Sequence, residues 1–301
     1  MNADFDFILR QLVACSEVVR RAIIAVEHAT MSDIVGTGAD GADTSRIDQV
    51  AETAAINFLA DSDSHGNVLS EEIGFLDRGS SLTFIVDPID STSNATVAAS
   101  LLNSSAPPDS SARTCAEVPH SSELYGFPYF AFSVAAVLDA RIVAACIRNL
   151  PTGDLFTATS GGGARFNGSA VVAPSVTTLG ESWVALIRPS GEEGLRRARK
   201  ILFGARRIRV TGCSALDMAL IASGGVHALV NPNAHRPPKS GEKVVDYAAA
   251  QLILDEAGAV LSDTEGNPLP IDHDVARLTP IVAAATPELH ARLLESIHPD
   301  E

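Results

Sequence analysis

No apolar run in this 301-residue chain approaches the roughly 20 residues that a membrane-spanning helix needs, so an ordinary helical membrane protein is excluded. Cysteine is scarce, and Cys15, Cys115, Cys146 and Cys213 show neither paired nor metal-type spacing; ordinary reduced thiols are expected. Positive charge is short as well. Against 37 Asp and Glu stand 22 Lys and Arg, a net charge of −15, which argues against a broad basic surface for nucleic acid. His65, His120, His227, His235 and His273 have no ligand spacing and read as ordinary histidines. The first residues, Met1–Asp6, are acidic and lead into an amphipathic helix, so neither a secretory nor a transit signal is expected and the location is expected to be cytoplasmic. Hydrophobic residues make up 46% of the chain, enough for a large core or two closely packed subdomains.

What the chain does have is acid at the ends of apolar segments. Residues 84–94, Phe-Ile-Val-Asp-Pro-Ile-Asp-Ser-Thr-Ser-Asn, run from an apolar stretch into Asp87 and Asp90 and then into a hydroxyl-rich turn. Two hard carboxylates three residues apart, a stiffening Pro88 between them and the Ile89 carbonyl suit a divalent metal. Ser91, Thr92 and Ser93 offer hydroxyl and backbone N–H donors at a helix start, a place that holds phosphate. The plain alternative is a strand that ends in an Asp-Pro turn. Two further acidic elements favour the first reading: Ser70-Glu71-Glu72 after a short apolar stretch, and a helix over 246–257 that Asp246 opens and Gly258 closes. Arg188 is a candidate for a second anionic group of a substrate, and Gly212-Cys213-Ser214 opens a helix whose amides are expected to face it. The cluster Arg196, Arg197, Arg199, Lys200, Arg206, Arg207 and Arg209 reads as a solvated face.

In order along the chain, Ser70-Glu71-Glu72, Asp87-Pro88-Ile89-Asp90-x-Thr92-x-Asn94 and Val245-Asp246-x-Ala248-Ala249 resemble the signature of the inositol monophosphatase superfamily, with closest likeness to the archaeal-type inositol monophosphatase/fructose-1,6-bisphosphatase enzymes. The resemblance implies a Mg2+-dependent phosphomonoesterase, two or three ions per site, possible inhibition by Li+, a small phosphorylated sugar, polyol or nucleoside as substrate, and a homodimer. It implies Glu71, Asp87 and the Ile89 carbonyl as ligands of a first magnesium, Asp90 as a bridge to a second that Asp246 also holds, and Thr92 with Asp48 as the pair that orients and deprotonates the attacking water. Ser91, Thr92, Ser93, Arg188, Gly212, Cys213, Ser214 and Asn231 are the phosphate and substrate candidates. The alternative is a noncatalytic descendant that binds an anion or a partner chain in the same pocket.

Departures from the family pattern are specific. Ser91 stands where the family usually has Gly. The eukaryotic members' Glu that contacts inositol hydroxyls has no counterpart in Val230-Asn231-Pro232, so inositol preference does not carry over. The lysine common near residues 36–41 is absent, which leaves Asp40 and Asp43 to assist a third, weaker metal. Residues 95–125 form an insertion rich in Ser and Pro, expected to be either a lid that sets specificity or a plain surface loop.

The expected fold is α/β, an α+β N-terminal half at 1–178 and an α/β C-terminal half at 179–301, together a layered αβαβα sandwich. Helices are expected at 5–28, 44–60, 191–203, 214–223 and 246–257. Strands are expected at 82–87, 129–138, 141–148, 154–158, 183–188, 207–210, 227–230 and 259–262, with a tight hairpin at Asp139-Ala140.

Overall fold

The computed structural model describes residues 4–27, 30–62, 65–96, 128–233 and 240–298. The insertion at 95–125 therefore lies, apart from Ala95 and Thr96, outside the described residues.

Helix α1 (Phe5–Ile24) starts where the Asp4 carboxylate accepts the Phe7 N–H at 2.9 Å, and it buries the stripe Ile8, Leu12, Cys15, Val19 and Ile23. It ends four residues short of the expected 28. Helix α2 (Arg46–Asp61) opens with a reciprocal cap in which the Asp48 carboxylate accepts the N–H and hydroxyl of Ser45 at 3.1 and 2.7 Å. The β1 (Ile34–Thr37) and β2 (Asp43–Ser45) ribbon precedes it.

Eight strands build the larger sheet: β3 (Asn67–Ser70), β4 (Gly74–Leu76), β5 (Leu82–Asp90), β6 (Ala131–Leu138), β7 (Arg141–Asn149), β8 (Leu155–Thr159), β9 (Gly163–Phe166) and β10 (Ser169–Val171), in the order 10-9-8-7-6-5-3-4. Every neighbouring pair is antiparallel except β3 and β5. The β6–β7 connection is the expected two-residue turn: Asp139 and Ala140 both take positive φ, 49° and 62°, as a type I′ hairpin requires. The smaller sheet joins β11 (Trp183–Leu186), β12 (Arg207–Arg209), β13 (Ala228–Val230), β14 (Val260–Asp263) and β15 (Ile281–Ala284) in the order 12-11-13-15-14. Sequence patterning missed β1, β2, β3, β4, β9, β10, β15 and the last helix, Pro287–Ile297.

Three apolar clusters give the layers. α1 and α2 pack on one face of the large sheet through Leu12, Leu59, Phe84, Phe132 and their neighbours. The helices Ser214–Ser223 and Val244–Ala257 fill the space between the two sheets, meeting Ile85, Ala145 and Phe156 on one side and Ala185, Leu229 and Ala283 on the other. The helices Gly191–Gly204 and Pro287–Ile297 cover the outer face of the small sheet. The result is the five-layer αβαβα sandwich expected from the resemblance. Among the described residues, no helix is long and apolar enough to cross a membrane.

Candidate active site

Strand β5 carries the first two acids. Asp87 pairs with Ser133 and Asp90 with Ala131, and the register slips between them. Pro88, which has no N–H to give the ladder, occupies that slip, so it lies within an extended segment and not in the turn expected from the sequence. The turn begins at Ser91, whose φ of 75° is left-handed. A glycine adopts this backbone without penalty, whereas a serine bears some strain. Asn94 holds the turn in place by donating from Nδ2 to the carbonyls of Tyr129 and Thr211, at 2.8 and 2.9 Å.

The remaining acids arrive from other layers. Asp48 and Asp246 sit at equivalent places, the third residue of α2 and of the 244–257 helix, and each accepts the N–H of the capping residue; for Asp246 the donor is Lys243, at 2.7 Å. Thr92 donates its hydroxyl to Asp48 Oδ1 at 2.9 Å, so the turn after β5 and the start of α2 meet. Asp90 Oδ2 accepts the Ala215 N–H at 2.6 Å and the Cys213 thiol at 3.2 Å. Cys213 donates its own N–H to Thr211 Oγ1. The start of the 214–223 helix is thus aimed at a carboxylate, and the expectation that the amides of Gly212, Cys213 and Ser214 face a substrate does not match the engaged Cys213 N–H. Gly212 itself takes φ 85° and abuts Ser91 and Asn94.

Burial dominates the electrostatics. It pushes the Asp87 carboxyl well above the usual range, and the charges of Glu71, Asp246 and Asp90 push it further. Asp90 is raised to about 7 by burial and the facing Asp246; Asp246 is raised by burial. The Asp87 and Asp246 carboxyls lie close enough to perturb one another, and this raises Asp87 further. Asp48 is also raised by burial, against the hydroxyls of Ser45 and Thr92. Asp87 Oδ1 is buried with no hydrogen-bond partner among the described residues. A buried carboxylate oxygen without a donor, among acids contributed by three layers, is the kind of oxygen ligand that a hard divalent cation takes. Among the described residues no three acidic side chains close on one point as they stand. Glu71 is turned to Lys243.

Other candidates fall at the rim. Ser93 is exposed, and Arg188 is exposed with its carbonyl accepting from Asn233. Asn231 is fully buried, donates to Glu242 at 3.2 and 3.3 Å and accepts from Asn233, so its amide is already committed. Asp40, expected to assist a metal, instead accepts from Lys243. Sequence reasoning missed Glu242 and Lys243. Glu242 is 4% exposed, and burial raises its carboxyl to about 8 against the Asn231 amide. The available signal was a carboxylate four residues before Asp246, at the end of the polar stretch. Beside the acids lies a cavity of about 540 Å3 lined by Asp40, Ile187, Asn231, Glu242, Lys243 and Leu278.

These raised carboxyls make the fold pH-sensitive in the absence of divalent ions. Asp90 at about 7, Glu71 and Glu242 at about 8, and Asp87 keep protons in the folded state that the unfolded chain, near 4, has lost. Stability then falls as pH rises, by at most about 1.4 kcal/mol per pH unit per group. His227 and His290, lowered by burial, act in the opposite sense only below their ordinary 6.5. The thermal midpoint in EDTA is expected to drop between pH 6.5 and pH 8; a level or rising midpoint would contradict this.

The order of layers, with acids gathered where β3 and β5 end, is that of the inositol monophosphatase/fructose-1,6-bisphosphatase fold. Residues 7–300 match the model of the inositol monophosphatase family, and the chain belongs to that family. It is 30% identical over 302 residues to the fructose-1,6-bisphosphatase/inositol-1-monophosphatase of Methanothermobacter thermautotrophicus, covering 95% of this chain and 94% of that protein. It is 29% identical to a bifunctional NADP phosphatase/NAD kinase of Methanocaldococcus jannaschii, over 87% of this chain and 45% of that one. A solved Pyrococcus horikoshii protein described as having similarities to inositol-1 monophosphatase superposes with a TM-score of 0.76 at 24% identity, over 98% of this chain and 100% of that one. The extragenic suppressor protein suhB of Bartonella henselae gives 0.75 at 24% identity, with the same coverage. These two likenesses bear on the fold.

Proposed function

We propose that the chain is a Mg2+-dependent phosphomonoesterase that hydrolyses a small phosphorylated sugar, polyol or nucleoside by direct attack of water. The observation that carries this reading is the 2.9 Å Thr92–Asp48 hydrogen bond beside the buried acids of β5 and the 244–257 helix. Glu71, Asp87 and the Ile89 carbonyl would hold one ion, and Asp90 would bridge to a second shared with Asp246. Bound Mg2+ lowers the pKa of its water and offsets charge on the phosphoryl oxygens.

The chain's own residues supply the rest. Because the Thr92 hydroxyl donates to Asp48, its oxygen is left to accept a proton from water, and burial makes Asp48 the more basic partner. Water forms the new P–O bond, the ester P–O bond breaks, and the alcohol departs with a proton. The Asn94 and Ala95 amides donate to the Ser91 carbonyl, which leaves the Thr92 and Ser93 amides as the donors that would hold the phosphate. The neighbouring cavity, with Glu242, Asn231 and Lys243 in its lining, suits a hydroxyl-bearing body more than an apolar one. Inhibition by Li+ and a homodimer belong to the same reading and rest on the family resemblance, and the 1–178 and 179–301 halves rest on the order of elements along the chain.

A phosphate-release screen tests it. Inositol 1-phosphate, fructose 1,6-bisphosphate, histidinol phosphate and nucleoside monophosphates are to be compared with Mg2+ and with EDTA. At least one is expected to be hydrolysed in a manner that EDTA abolishes; no release from any would favour the noncatalytic alternative.

A further inference from the structure

The acidic cleft contains a cation of its own. Lys243, the residue that caps the 244–257 helix, donates from Nζ to Asp40 and, at 2.5 Å, to Glu71. Three segments meet at this ammonium: the loop 38–42, the residue after β3 and the helix cap. The three side chains are 18, 3 and 21% exposed, so the contact lies inside the cleft and not on its rim.

The loop that presents Asp40 is built for that position. Gly38 N–H donates to the Ala42 carbonyl at 2.9 Å, Ala39 N–H to the Glu72 carbonyl at 2.8 Å, Asp40 N–H to the Glu71 carbonyl at 3.3 Å, and Ala42 N–H to Asp40 Oδ1 at 2.8 Å. A Cβ at Gly38 would lie 2.7 Å from Glu72 Oε2 and 2.9 Å from Asp40 Oδ1, so the backbone approaches the acids as closely as a residue without a side chain allows. Asp40 is thereby fixed opposite Glu71, whose carboxyl also feels the charge of Asp246. Two carboxylates so placed would be the first ligands of a further divalent ion, which needs about six oxygens. The hydrogens of Lys243 occupy those same oxygens.

We propose that the Lys243 ammonium is a resident monocation that fills the place of a further divalent ion on Asp40 and Glu71 and clasps the 38–42 loop to the site. Replacing it with a neutral side chain opens a divalent-cation site there. This rests on the reading of Asp87, Asp90 and Asp246 as metal ligands, and the test separates the two. Mn2+ bound per chain is to be counted by titration calorimetry and by the loss of free-ion electron paramagnetic resonance, for the wild type, Lys243→Met, Lys243→Gln and Lys243→Arg, and for Lys243→Met combined with Asp40→Asn. The expected result is one more Mn2+ per chain in the Met and Gln variants than in the wild type. Arg keeps the wild-type count, and the double variant returns to it. Circular dichroism and melting establish that each variant is folded, and Gln keeps the test open should Met fail. An unchanged count in folded Met and Gln variants overturns the resident-cation proposal while leaving the metal reading intact. A wild type that binds no Mn2+ overturns both.

Discussion

Asp90→Asn protein is expected to fold normally and to lose phosphatase activity by at least ~1000-fold, a loss of several kcal/mol of electrostatic stabilisation where each 1.4 kcal/mol is a factor of ten. Asp90 Oδ2 is engaged by the Ala215 N–H and the Cys213 thiol, and an asparagine carbonyl oxygen can accept both, so the local hydrogen bonds survive. What the amide removes is the negative charge between the two proposed ion positions. Removing one carboxylate charge from a buried group of acids also relieves repulsion, so the thermal midpoint without metal should be level or higher. Turnover near that of the wild type at millimolar Mg2+ in folded Asp90→Asn would sink the assignment of Asp90 as a bridging ligand.

Thr92→Ala and Asp48→Asn are each expected to lower kcat by about 100-fold with little change in KM, the loss associated with a positioned general base. The two side chains act on one water through a single hydrogen bond, so the double variant should also be down by about 100-fold and not by the product of the two effects. A double variant as impaired as that product would show that they work independently. Asp48 also caps α2 through Ser45, and its Asn replacement keeps an oxygen for the Ser45 N–H; a stability loss of no more than about 1 kcal/mol is therefore expected, small enough to separate folding from catalysis.

The acids of the site were legible because their positions along the chain coincide with the ends of elements. Asp87 and Asp90 close an apolar run, and Asp246 opens a helix that ends at Gly258 with φ 80°. The layered fold was legible on the same grounds, since alternating short strands and helices after 183 stand out in the pattern. Other features were not. Helix α1 stops at Ile24 although apolar residues continue to Val26, which stays buried in the same cluster without being helical. β15 and the 287–297 helix follow a stretch of turns whose composition masks the return of an inner strand, paired on both sides, into the small sheet. Lys243 and Glu242 were read as part of a polar connection; their importance depends on the chain folding back onto residues 40 and 71, a distance that no local spacing encodes. Cys213 read as an ordinary thiol, and only the register of β5 against the 214–223 helix brings its sulfur to Asp90.

The helix Val244–Ala257 has almost no wet side: Val244, Val245, Tyr247, Ala248, Ala249, Ala250, Leu252, Ile253, Leu254 and Ala257 are all buried, shared between the two sheets. A segment greasy all round belongs to neither neighbour alone. Severed in the stretch between β10 and β11, the N-terminal portion would show water the bare face of its large sheet, and the C-terminal portion would carry a naked apolar rod. Each would be adhesive in isolation, and each is the other's only adequate solvent. Asp246 rides on that rod and Asp87 on that face, so these acids come together only where the two portions pack against one another.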